Sequence, residues 1–154
     1  MACRRMRPSA TFQRLELSVS NRFGDQQLRI RKPTSLCTPA TTDANPPSTL
    51  IPSYSCYRAA PHGRFAKRTI SVADGFESVM TEVRRPIAVC LPASVDGTPV
   101  IDAGDTLVCY SIRTSGNEPR FTSQDVTATD LWETSELSLR RAQTLCVPSF
   151  VELP

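Results

Sequence analysis

From Arg14 to Ser20 apolar and polar residues alternate without a break: Leu15, Leu17 and Val19 fall on one side, Arg14, Glu16, Ser18 and Ser20 on the other. A period of two is that of a half-buried β-strand. Thr69 to Val72 and Gln124 to Thr129 have the same character, and the three runs stop at residues suited to a turn, Asn21, Asp74 and Asp130. A second strand follows each turn, over Gln27 to Arg31, Met80 to Arg84 and Glu136 to Arg140, with apolar alternates such as Leu28 and Ile30 or Leu137 and Leu139. The pattern predicts three hairpins. Short apolar segments at Ala88 to Leu91 and Leu107 to Ile112 add further strands, to roughly four in each third of the chain. No segment carries the three-and-four spacing of an amphipathic helix. The predicted fold class is all-β.

The hairpins sit on a repeat. Cys3, Cys56 and Cys109 are spaced 53 residues apart, and Cys37 precedes Cys90 by 53. Phe12 and Phe65 each follow their cysteine by nine residues, and Phe121 follows Cys109 after three extra ones. Phe23, Phe76 and Trp132 each stand 14 residues before the closing cysteine, Cys37, Cys90 or Cys146. The copies divide the chain into 1–53, 54–106 and 107–154, joined by Thr38 to Ser53, rich in Pro, Thr and Ser, and by Ala93 to Asp105. Copies of about fifty residues lie near the size at which a hydrophobic core alone is marginal, so each needs a staple. Three homologous β modules can close as a pseudo-threefold barrel of β-trefoil type, pack as a sandwich, or follow one another as small sheets sharing edges. One body is favoured, because neighbouring copies then cover each other's edges.

Paired cysteines in every copy read as structural disulfides, and these imply an oxidising compartment. Zinc is disfavoured by the lack of any Cys-x-x-Cys and by a single histidine, His62. Of the 15 connectivities open to six cysteines, the repeat retains two. One pairs within copies, Cys3 with Cys37, Cys56 with Cys90 and Cys109 with Cys146. The other crosses the linkers, Cys37 with Cys56 and Cys90 with Cys109, and leaves Cys3 for Cys146. The first is preferred because it treats every copy alike and needs no meeting of the chain ends. No run approaches the roughly 20 apolar residues of a membrane-spanning helix. Met1 to Ser9 is basic and lacks an apolar leader core, so an extracellular or periplasmic location implies a signal peptide upstream of this sequence.

Cys-Tyr at Cys56-Tyr57 and Cys109-Tyr110, an alternating strand into Asp74-Gly75-Phe76, and Leu-Cys-x-Pro at Leu36 to Pro39 and Leu145 to Pro148 together resemble an uncharacterised bacterial repeat family, a domain of unknown function. Its members resemble secreted proteins of myxobacteria and related groups, built of tandem modules. The resemblance covers nearly the whole chain. It departs in the first copy, where Arg4 stands in place of the tyrosine, and it supplies no catalytic residues.

The repeated polar feature with the most chemical content is a basic pair: Arg31-Lys32, Arg84-Arg85 and Arg140-Arg141. Three copies related by symmetry would converge on sulfate, phosphate or an acidic polysaccharide, since guanidinium groups offer paired donors to such anions. The competing reading is a charged strand end that discourages edge pairing. Asn21, Asp74 and Asp130, with Asp102 and Asp105, are read as turn formers rather than calcium ligands, because no loop offers six to eight oxygens. His62 is read as polar loop surface, and Phe23, Phe76 and Trp132 as core rather than a sugar platform. A net charge of +3, with bases scattered among acids, gives little reason to expect nucleic acid as a partner.

The sequence thus points to a non-enzymatic extracellular structural or adhesive module, with no catalytic residue, metal or cofactor nominated and with cell-envelope or extracellular polysaccharide or protein as the expected partner. A binding module for an acidic glycan or other anion is the alternative. An enzyme of unknown type, with a site in the linkers, is the third reading and ranks last because His62, Asp102 and Asp105 form no recognisable set.

Overall fold

In the computed structural model, which describes residues 1–43 and 45–152, the alternating runs are strands and no described residue is helical. Ala44 in the first linker and residues 153–154 of the third copy lie outside the described residues. The first copy supplies β1 (Ala2–Arg5), β2 (Leu15–Asn21) and β3 (Gly24–Thr38); the second supplies β4 (Ser53–Pro61), β5 (Arg68–Ala73) and β6 (Ser78–Ala93). The third supplies β7 (Thr106–Thr114), β8 (Gln124–Thr129), β9 (Thr134–Leu139) and β10 (Thr144–Glu152). Among the described residues the first two copies have no separate fourth strand. There the second hairpin strand and the cysteine strand are one, running through the basic pair and its proline as β3 and β6.

The register explains how. Pro33 and Pro86 have no N–H to give a ladder, and the pairing of β3 with β4 and of β6 with β7 shifts on either side of them. Across each bulge the next copy's first strand continues the ladder: Leu28 faces Pro61 and Cys37 faces Tyr54, and 53 residues on Thr81 faces Thr114 and Cys90 faces Leu107. At the matching place in the third copy, residues 140–143 belong to no strand, and the chain is divided there into β9 and β10.

The main sheet has eight strands in the order β1-β3-β2-β10-β7-β6-β4, with β5 attached to β6. Because β3 also pairs with β4, the pairings return on themselves through β3, β2, β10, β7, β6 and β4. β8 and β9 form a separate two-stranded sheet, joined to the first linker by a bridge between Thr41 and Thr129. Arg4 of β1 also grips its turn, pairing with Asp130 and with Glu133 at 2.8 Å while its guanidinium lies 4.7 Å from the Trp132 ring centre.

Side chains from all three copies meet in one core of Leu17, Val19, Leu28 and Ile30, then Ala59, Val83 and Val89, then Val108, Tyr110 and Val147, with Phe23 among them. Only one of the three turn aromatics is therefore core. Phe23 is 5 % exposed, whereas Phe76 and Trp132 are 37 % and 46 % exposed, since their hairpins project away from the residues that cover Phe23. The aromatic centre is Tyr110, fully buried between Phe23 and Phe65 at ring distances of 5.0 and 5.3 Å.

The disulfides join Cys3 to Cys37, Cys56 to Cys90 and Cys109 to Cys146, and none of the six cysteines is free. Each bonded pair stands directly opposite in its ladder, β1 with β3, β4 with β6 and β7 with β10. Closing a loop with a sequence separation of 34 stabilises the fold by up to about 3.8 kcal/mol in the chain-entropy model. Three such bonds belong to a compartment outside the reducing cytoplasm. Among the described residues no helix is long and apolar enough to cross a membrane.

Candidate functional site

Arg31, Lys32, Arg84 and Arg85 at the two bulges, and Arg140 and Arg141 at the break between β9 and β10, are all exposed. They do not converge on one point. Arg31 and Arg85 line a small cavity of about 150 Å³ together with Arg58 of β4, over Pro61 and Pro86. Lys32 faces a different cleft, shared with Arg5 and Arg7. Arg84 is engaged by Glu82, its Nε 3.0 Å from Oε1. The third pair takes part in the largest basic group: Arg140 and Arg141 line an open cleft of about 780 Å³ with Arg113 and Arg120.

None of these four arginines is in an ion pair with another described residue. Glu118 is the one acid lining the cleft, and its Oε1 accepts the backbone N–H of Met80 at 3.0 Å. Four guanidinium groups around one opening, with one carboxylate among them, make a positive concavity whose paired donors match the oxygens of carboxylate, sulfate or phosphate. Arg113 is held on β7, opposite Glu82 of β6. Arg120 comes from the loop that carries the third copy's extra residues, and Arg140 and Arg141 from the break between β9 and β10. Arg58, Arg113 and Arg120 are not marked by the repeat, since none recurs in all three copies: Ser111 stands in the place of Arg58, Ala60 in that of Arg113 and Thr11 in that of Arg120. Cross-strand register was the signal needed.

The other polar candidates have local partners. Asp74 Oδ1 accepts the N–H groups of Phe76 at 2.7 Å and Glu77 at 3.0 Å, Asp130 Oδ1 those of Trp132 and Glu133, and Asn21 Oδ1 that of Phe23 at 2.9 Å. These are turn bonds, as the sequence pattern implies. Asp102 Oδ1 accepts the Gly104 N–H at 3.0 Å, and Asp105 Oδ2 accepts the hydroxyl of Tyr54 at 2.6 Å. Burial first, and then that bond to Asp105, push the Tyr54 hydroxyl above its ordinary range. His62 Nε2 lies 2.8 Å from Glu16 Oε1, while the His62 backbone N–H donates to Gln27 O at 2.9 Å. Burial raises the Asp130 carboxyl, but bonds from Arg4 and from the Trp132 and Glu133 amides outweigh it and hold the group below the usual carboxylate value. Among the described residues no group of three or more His, Cys, Asp or Glu could hold a metal ion.

No family model matches the chain, and neither does any curated protein or solved structure.

Proposed function

We propose that the chain is a non-catalytic structural module of an extracellular or periplasmic protein, and that it attaches to an acidic polysaccharide through its arginine-lined cleft. One observation carries this reading: Arg113, Arg120, Arg140 and Arg141 surround a single opening without carboxylate partners among the described residues. Like charges gathered this closely repel, and a polyanion that threads between them relieves the repulsion and satisfies the donors. The disulfides support a location outside the cytoplasm, and so does the resemblance of the Cys-Tyr and Leu-Cys-x-Pro motifs to secreted tandem modules. In this reading the three copies are one β module repeated, and the circuit of strand pairings is a barrel-like wall of pseudo-threefold origin. Ladder pairs displaced by 53 residues support that origin.

The test is retention on immobilised heparin and on a carboxylated polysaccharide across a salt gradient. Removing one bidentate arginine weakens binding roughly tenfold, about 1.4 kcal/mol. Arg113→Ser and Arg140→Ser therefore elute at lower salt than the parent chain, and more so in combination, while Arg84→Ser, already paired with Glu82, elutes close to the parent. Unchanged elution of the double variant overturns the assignment.

A further inference from the structure

The three disulfides are not isolated from one another. Cys37 Sγ lies 3.6 Å from Cys56 Sγ, and Cys90 Sγ lies 3.7 Å from Cys109 Sγ, each a van der Waals contact between the sulfurs of neighbouring bridges. Bonds and contacts alternate along one row, Cys3–Cys37, Cys56–Cys90 and Cys109–Cys146, which crosses six strands in the order β1, β3, β4, β6, β7 and β10. The inner four cysteines are 3 to 5 % exposed and form their own buried cluster with Tyr54. The outer two, Cys3 and Cys146, are exposed.

We propose that this row is a thiol–disulfide exchange relay, which takes up an external thiol as a mixed disulfide at one exposed end and frees the cysteine thiol at the other. The proposal is independent of the polyanion reading. An external low-molecular-weight thiolate attacks Cys3 Sγ, forming a mixed disulfide and breaking the bond to Cys37. The Cys37 thiolate is then in contact with Cys56 Sγ. Its attack there forms Cys37–Cys56 and expels Cys90, which is in turn in contact with Cys109. Attack by Cys90 forms Cys90–Cys109 and expels Cys146 as a solvent-exposed thiolate, which takes up a proton. Three S–S bonds break and three form, one negative charge moves from the incoming thiol to Cys146, and no oxidant or reductant is consumed.

Several features favour transfer along the row over escape from it. Each expelled sulfur is the atom that touches the next bridge, close to the roughly 3–3.5 Å at which reacting atoms gain most from being held together. Burial keeps solvent thiols away from the inner sulfurs, so entry is confined to the ends. A thiolate stranded inside the cluster is desolvated and unfavourable, whereas one at Cys146 is hydrated. The same logic runs in reverse from Cys146 to Cys3.

Cys3→Ser tests this directly, because it leaves an odd thiol at the head of the row. The folded variant is treated with N-ethylmaleimide, quenched in acid, and mapped by non-reducing peptide analysis. The relay predicts label on Cys146, with Cys37–Cys56 and Cys90–Cys109 linked peptides. Label on Cys37, or Cys37 free only after unfolding with Cys56–Cys90 and Cys109–Cys146 intact, overturns it. Cys146→Ser gives the mirror prediction, label on Cys3. Should either variant fail to fold, the parent chain decides: after exposure to glutathione, single molecules carry glutathione at Cys3 and maleimide at Cys146, or the converse. Glutathione at Cys3 with Cys56–Cys90 still bonded in the same molecule, or at Cys146 with that bond intact, refutes the relay.

Discussion

Replacing Tyr110 by phenylalanine removes one oxygen from a fully buried side chain while keeping the ring between Phe23 and Phe65. That hydroxyl accepts from Gln26 Nε2 at 2.7 Å and from Asn21 Nδ2 at 2.8 Å, and Asn21 Nδ2 also reaches Ser149 Oγ at 3.0 Å. Asn21 therefore keeps one partner in Tyr110→Phe. Gln26 has no other side-chain bond among the described residues, and its Oε1 is already buried without one. A hydrogen bond contributes about 1 kcal/mol net, and a donor left unpaired away from water costs about 1–3 kcal/mol, so the substitution should cost about 2 kcal/mol. For a chain of this length that lowers the melting midpoint by about 4–8 °C. Urea unfolding with the disulfides intact measures it, with an unchanged slope on denaturant concentration showing that only stability moved. Gln26→Ala completes a double-mutant cycle, in which a coupling of about 1 kcal/mol is expected between residues in contact. A destabilisation below about 0.5 kcal/mol would mean that water satisfies the amides, and that the network lies at the edge of the core rather than inside it.

The two kinds of hairpin aromatic should separate in the same assay. Phe23→Ala should cost about 3–5 kcal/mol and Phe76→Ala less than about 1 kcal/mol, and equal costs would refute the burial that distinguishes them. Acid stability should depend on Asp130. Its folded pKa lies below the ordinary 3.8, so its contribution is present above that value and is lost as pH falls through the folded one. Asp130→Asn should therefore flatten the fall in stability below about pH 4 relative to the parent, and superimposable profiles would remove the Arg4 link as its source.

Period-two alternation was enough to mark β2 and β5 nearly to the residue, because burial alternates along both, and it marked β8 as well although the last four residues of that strand are all half-buried. It failed at β3 and β6. A basic pair followed by proline reads as a strand end, since a proline cannot serve a ladder from its nitrogen, yet here the next copy's first strand spans the bulge and holds the chain extended on both sides. It failed again at β1, whose four residues alternate too briefly to be seen and are strand only because Cys3 to Arg5 pair with Ser35 to Cys37. The aromatic register misled for a related reason. Sequence equivalence of Phe23, Phe76 and Trp132 gives equivalent turns, but a core is shared by the assembly, and only one of three hairpin tips can be covered by Phe65 and Tyr110. The arginine cleft could not be read from the recurring positions, although its four arginines all lie in the third copy, because they come from a strand, an inserted loop and a strand break where that copy departs from the repeat.

The same geometry explains why the cysteine spacing left two connectivities standing. Cys37 faces Tyr54 and Ser35 faces Cys56, so Cys37 and Cys56 are diagonal neighbours across β3 and β4; Cys90 and Cys109 stand in the same relation across β6 and β7. Diagonal positions on a sheet are normally some 7–8 Å apart at the backbone, yet side chains leaning toward each other close that gap, and here the sulfurs touch. The pairing within copies is the set of covalent bonds, and two of the three pairs in the linker-crossing alternative are the contacts between those bonds. With one cysteine on each of six neighbouring strands both relations are present at once, the bonded set distinguished by direct opposition in the ladder and two pairs of the other set a sulfur contact away.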